Sequence, residues 1–197
     1  MIDPIPYVPR YLSHLPTPLP NPGSAWRGLE LILPSLIEDF ALPVYSALEF
    51  GVEGGFSTAA LATYFLNVTA VDFFIGDEHS GVKSDPAQLE RETRAALAQW
   101  PNIEVVTANC FVWMERPENQ ASDYSLCHAD IVHNYEPTLR ALLWASDHAE
   151  LVIAHDTESF PEVRRACADA AEAKGRFFYN YPECHGLGIL SRREPLA

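Results

Sequence analysis

The chain is poor in positive charge: 13 Lys and Arg stand against 27 Asp and Glu, a formal net charge of −14 over 197 residues. Nucleic acids and anionic membrane surfaces are bound through basic patches, so neither is expected as a partner, and a small-molecule substrate fits better. No apolar run is long enough to span a bilayer. Residues 1–21 lack the apolar core of a signal peptide and are broken by prolines, so no secretory leader is read there. Cys110, Cys127, Cys167 and Cys184 form no C-x-x-C pair. They read as free thiols of a reducing cytoplasm, packed as small core residues. No internal repeat or low-complexity tract is found, and the length suits one domain with a full core.

Proline is densest at the start. Pro4, Pro6, Pro9, Pro16, Pro18, Pro20 and Pro22 predict that residues 1–23 form an extended arm. Its Tyr7, Tyr11 and Leu15 are expected to attach it to the domain or to a partner subunit, and a homodimer would cover its apolar residues. Residues 24–197 read as a single domain. It opens with a cover helix over 24–40, capped by Ser24 and carrying Trp26, Leu29, Ile32, Leu33, Leu36 and Phe40 on one face. Strands and helices then alternate, and Ser159–Glu162 reads as a capping box for a helix ending at Gly175. The expected fold is α/β: a doubly wound, mostly parallel, seven-stranded Rossmann-like sheet with an antiparallel last strand.

The segment from Ala47 to Asp72, ALEFGVEGGFSTAALATYFLNVTAVD, carries the most information. It reads as strand, glycine-rich turn, helix and strand, ending in an acid. Glycines admit a ligand to the backbone, and the helix N-terminus offers free N–H groups. Asp72 lies 72 − 51 = 21 residues after Gly51, the spacing at which an acid meets ribose hydroxyls in dinucleotide folds. The glycines, however, do not follow G-x-G-x-x-G, and Glu53 stands inside the turn. A carboxylate there would repel a pyrophosphate and suit a ligand joining adenosine to a cationic amino acid.

The run E-F-G-V-E-G-G-F-S-T resembles motif I of the class I S-adenosylmethionine-dependent methyltransferases. Three later segments resemble a small bacterial O-methyltransferase subgroup related to macrocin O-methyltransferase and the cephalosporin hydroxylase-like proteins. They are GDEHSG (76–81), HADIVHNYE (128–136) and LVIAHDT (151–157), and the ending GLGIL (186–190) matches the subgroup's last strand. The likeness covers roughly residues 45–191. It implies a methyltransferase fold, S-adenosylmethionine as cofactor, and O-methylation of a small molecule such as a sugar or secondary metabolite.

Carried over residue by residue, it implies that Glu49, Gly51, Gly55 and Ser57 shape the methionine end of the pocket. Asp72 would take the ribose, and Asn109 with Cys110 would face the adenine. His133 is the expected general base, with His79 as a second candidate, since imidazole titrates near working pH. Asp130 joins them as a catalytic acid residue. Together with Asp156 it could also hold Mg2+ or another divalent ion, with His155 as a softer ligand. One departure stands out: the subgroup's D-G-D-H is Asp130-Ile131-Val132-His133 here, which removes a carboxylate. A non-catalytic S-adenosylmethionine-binding subunit or regulator is therefore the alternative reading. A nicotinamide-dependent dehydrogenase is the third.

Overall fold

The computed structural model describes residues 2–79 and 81–196. Met1, Ala197 and Ser80, which belongs to the 76–81 motif, lie outside the described residues. Eight strands form one sheet: β1 (Ile5–Pro6), β2 (Ser46–Phe50), β3 (Asn67–Asp72), β4 (Ile103–Thr107), β5 (Tyr124–Ala129), β6 (Ala149–His155), β7 (Phe177–Tyr181) and β8 (Leu187–Ser191). Their order is β1-β7-β8-β6-β5-β2-β3-β4, and β8 runs antiparallel to both neighbours while every other pair is parallel. The helices are α1 (Leu33–Asp39), α2 (Phe56–Tyr64), α3 (Pro86–Leu97), α4 (Cys110–Met114), α5 (Tyr135–His148) and α6 (Pro161–Lys174).

Strand alternation explains the layers. Ala47, Leu126, Leu151 and Ile153 point into one core with α1 and α2, while Leu48, Phe50, Cys127 and Val152 point into the other with α5 and α6. The central strands are thus apolar on both faces, as a doubly covered parallel sheet requires. The expected fold class is found, and the eighth strand is the addition. It comes from the proline-rich arm, whose Ile5 and Pro6 pair with Tyr179 and Asn180. Proline is tolerated there because β1 is an edge strand, where a missing N–H breaks no inner ladder. Tyr7 pins the arm by donating to Asp39 at 2.7 Å, and Tyr11 donates to Glu38 at 2.7 Å.

Local readings moved in three places. The cover helix over 24–40 is helical only from Leu29, as a short 3-10 turn (Leu29–Ile32) leading into α1. Gly28, at φ +108, breaks the chain before it, so Ser24 caps no helix. The capping box at Ser159–Glu162 is absent: Phe160 is the N-cap of α6, the Ser159 hydroxyl meets His185, and the Glu162 carboxylate accepts from the Tyr135 N–H. Helix α4 follows β4 directly, with the Asn109 side chain capping it.

One buried cation joins elements that are distant in sequence. Arg176, 6% exposed, donates to the carbonyls of Ser146 (2.5 Å), Ala149 (2.6 Å), Glu150 (2.9 Å) and Leu190 (3.1 Å). It thereby satisfies the C-terminal end of α5, where helix carbonyls lack partners and cations are favoured. Arg176→Met is expected to cost about 3 kcal/mol through buried carbonyls left without donors. At 2–4 °C per kcal/mol that is a fall of about 6–12 °C in melting temperature, readable by calorimetry. A melting temperature within about 2 °C of wild type would show that water replaces the guanidinium.

Candidate functional site

A cavity of about 300 Å³ opens at the carboxyl ends of β2, β3, β4 and β5, where a doubly wound sheet places its ligands. The glycine-rich turn forms one wall. Gly51 adopts φ +89, and a Cβ on it would lie 1.7 Å from the Asp130 carbonyl oxygen, so only glycine fits. Asp72 organises this wall. Its Oδ2 accepts from the N–H groups of Val52 (2.7 Å) and Glu53 (2.8 Å), and its Oδ1 accepts from Phe74 N–H (2.7 Å). Oδ2 is filled by these bonds, and Oδ1 keeps one lone pair for a ligand hydroxyl. Glu53, at φ +44, pairs with Lys83 at 2.8 Å. The rest of the wall is unexpected: Asn21 and Trp26, which precede the 3-10 turn, also line the cavity.

Ser57, Asn109 and Cys110 line the cavity. Asn109 Oδ1 is used in accepting from Phe111 N–H (2.9 Å), leaving its NH2 group as a donor rather than an acceptor. Burial pushes the Cys110 thiol up to about 11, so it stays protonated and unreactive at neutral pH.

Glu49 and Gly55 are corrections, since neither lines the cavity. Gly55 sits in the left-handed region at φ +79 against Leu97 and starts α2. Glu49 is fully buried beneath the turn. Its carboxylate accepts from the Thr58 hydroxyl and meets His128 Nδ1 at 2.9 Å, the residue paired with it in register across β2 and β5. The Trp26 indole donates to His128 Nε2 at 3.0 Å. Indole N–H can only donate, so Nε2 accepts and Nδ1 carries the proton toward Glu49. The three residues form a buried chain that fixes Trp26, and through it the wall of the cavity. Register across strands is invisible in sequence, so nothing there pairs Trp26 with His128.

Next to the turn, the ends of β5 and β6 bring four titratable side chains together. His133 Nε2 lies 3.3 Å from Asp130 Oδ1 and 3.0 Å from Asp156 Oδ2. His155 Nε2–H donates to the Cys184 carbonyl at 3.0 Å. Its Nδ1 lies 3.2 Å from Asp130 Oδ2 and 3.2 Å from Asp156 Oδ2. Asp156 reaches this position from a left-handed backbone, φ +69, which Asp tolerates better than most residues.

The pKa values follow from this packing. Burial works against the imidazolium of His133, but its bonds to Asp130 and Asp156 and their charges outweigh it and raise the group to about 9. Burial likewise opposes a charge on His155, and the same carboxylates raise it to about 10. Burial opposes ionisation of Asp156 too, yet the two histidines hold it down at about 2, and they hold Asp130 well below the usual carboxylate range. Facing the two carboxylates alone, His133 favours its cationic form, which disfavours its reading as a general base; a divalent ion at Nε2 would displace that proton. His79 stands behind it, outside the described lining of the cavity. It accepts from His133 N–H at 3.3 Å and packs edge-on to Phe160, on which the His133 ring stacks.

The architecture matches solved structures. A putative O-methyltransferase from Klebsiella pneumoniae superposes with a TM-score of 0.58 at 16% identity, over 84% of this chain and 80% of that one. The O-methyltransferase NovP gives 0.59 at 16% identity, covering 80% and 76%. An O-methyltransferase from Bacillus cereus in complex with S-adenosylhomocysteine gives 0.56 at 15%, covering 80% and 77%. The chain has the methyltransferase fold. No protein-family model matches it, and no curated protein does. Among the described residues no helix is long and apolar enough to cross a membrane. Within the methyltransferase fold, the cavity occupies the expected place beside the glycine-rich turn.

Proposed function

We propose that the cavity binds S-adenosylmethionine and that the chain transfers its methyl group to a hydroxyl of a small molecule. The observation that carries this reading is the continuity of the cavity. One space is lined by the Gly51 turn and Asp72 and, directly beside Gly51, by Asp130 and His133. A cofactor seated on the turn would direct its sulfonium toward the Asp/His cluster, where an acceptor would stand. In support, the similar Bacillus cereus O-methyltransferase carries S-adenosylhomocysteine, and the cavity volume falls at the lower end of the range of ligand pockets.

Methyl transfer asks the protein for alignment and for help with the acceptor's proton, because the sulfonium methyl is already activated. Trp26, held by His128, and the Asp72-bound turn supply the alignment. His133, drawn toward its cationic form by the two carboxylates, is a poor acceptor for that proton. A divalent ion seated between Asp130 and Asp156 would supply what His133 does not, by acidifying a bound hydroxyl. Asp156 and Asp130 are ionised across the neutral range and fit such an ion.

Calorimetry with S-adenosylmethionine and with S-adenosylhomocysteine tests the binding. A dissociation constant in the micromolar range, about −8 kcal/mol, is expected for both. No heat and no thermal shift from either ligand would remove this reading. The alternative, a non-catalytic binding subunit, shares that result and parts from it in the next assay: it expects no methyl transfer to any acceptor in a panel of hydroxylated sugars and aromatics.

A further inference from the structure

We infer that His133, releasing its Nε2 proton to solvent as the ion binds, is a metal ligand alongside Asp130 and Asp156, and that this imidazole tunes the site to a divalent first-row transition ion rather than to magnesium. One ligand atom from each of the three lies within 4.8 Å of the others. The separations of His133 Nε2 from the two carboxylates, 3.3 and 3.0 Å, match the edges of a coordination shell. Ligands about 2.1 Å from an ion stand roughly 3.0 Å apart in an octahedron and roughly 3.4 Å apart in a tetrahedron.

His155 gives the independent observation. It is 2% exposed, its ring is held by the bond to the Cys184 carbonyl, and its Nδ1 is aimed at both carboxylates without an aligned hydrogen bond to either. A buried donor ion-paired with two carboxylate oxygens at 3.2 Å but aligned with neither suits a group that orients ligands around a third, non-directional partner. We assign it as a positioning residue behind Asp130 and Asp156. Asp130 and His133 both line the cavity, so coordination positions left by the three protein ligands would open toward the acceptor. That is the arrangement of a reactive rather than a purely structural ion site.

The identity of the ion follows from the donors. Magnesium prefers an all-oxygen shell and keeps its waters, whereas imidazole suits manganese-to-zinc ions. The His133 ring stacks flat on Phe160 at 4.3 Å, which sets its plane so that Nε2 faces the carboxylates. This inference rests on reading the Asp130–Asp156 end as an ion site and is independent of S-adenosylmethionine binding.

The test uses the full chain, stripped with a chelator, with no S-adenosylmethionine present. Co2+ alone and Mg2+ alone are titrated by calorimetry, with the visible absorption of Co2+ reporting nitrogen ligation. One Co2+ per chain is expected, bound at least 100-fold more tightly than Mg2+. His133→Ala should weaken Co2+ at least 30-fold while changing Mg2+ less than threefold, and should shift the Co2+ spectrum. His155→Gln should weaken Co2+ with the spectrum retained. If His133→Ala melts below the assay temperature, His133→Gln is measured in its place. Equal affinity for the two ions, equal weakening of both by the His133 variant, or no Co2+ bound at millimolar concentration would each overturn the assignment. S-adenosylhomocysteine that fails to bind in its own titration bears on the cofactor reading alone.

Discussion

Asp72→Ala is expected to weaken S-adenosylhomocysteine binding at least 100-fold, below calorimetric detection, while the protein stays folded. The reason is that Asp72 is first a turn-holding residue. Its carboxylate accepts from three backbone N–H groups, those of Val52, Glu53 and Phe74. Hydrogen bonds to a charged acceptor contribute about 1.5–3 kcal/mol each. Without them the left-handed Glu53, at φ +44, is held only by its pairing with Lys83 and by the Thr93 hydroxyl on its carbonyl, and the wall that faces the ligand relaxes. The ligand hydroxyl also loses the free lone pair on Oδ1. A 100-fold loss needs only about 2.7 kcal/mol, less than two such bonds at their upper value. Asp72→Asn keeps one acceptor oxygen and presents an NH2 group to the other donors, so an intermediate loss of about tenfold is expected. An Asp72→Ala variant that binds within threefold of wild type would show that the turn stands without the carboxylate.

Gly51→Ala should be the most damaging single-methyl change in the chain. The added Cβ would sit 1.7 Å from the Asp130 carbonyl oxygen, and the backbone holds φ +89. Backbone on both sides leaves no flexible side chain to give way. The neighbouring bonds, Gly51 N–H to Val71 O at 3.1 Å and Asp130 N–H to Phe50 O at 2.8 Å, tie the colliding segments into β2, β3 and β5. The cost belongs to the exceptional class of substitutions, about 4–5 kcal/mol or more. For a chain of this size that is a fall of about 10 °C or more in melting temperature. Because the obstacle is Asp130, relief must move that residue. The variant is therefore expected to lose divalent-ion binding together with ligand binding, even where it remains folded at low temperature. A melting temperature within about 3 °C of wild type, or ion affinity unchanged, would contradict the close packing of the two strand ends.

These expectations show which parts of the molecule are legible locally. The glycine turn, the acid ending β3 and the apolar runs of β5 and β6 are properties of short segments. Steric limits on φ and strand alternation act within a few residues, so the sheet, its parallel sense and its antiparallel ending could be read in advance. The start of the cover helix could have been read too, since Gly28 marks the break before it. Asn109 was legible as a polar residue at a strand end, but its use as a helix cap depended on α4 beginning at once.

Glu49 and His133 mark the limit. Glu49 looked like a ligand contact because it stands beside the turn, yet strand pleating turns it to the face where the register of β2 on β5 supplies His128. His133 looked like a base because imidazole has an ordinary pKa near neutrality. Asp130 and Asp156, brought to it from the ends of two different strands, raise it to about 9. By itself, the sequence determined the α/β alternation, the place of the cavity at the Gly51 turn and the acidic character of the strand ends beside it. Only the tertiary structure decided that Trp26 closes the wall, that Glu49 is a buried anchor, and that His133 stands between two carboxylates from different strands. Backbone geometry and periodicity are local, whereas burial, cross-strand register and the field of neighbouring charges exist only once distant segments meet.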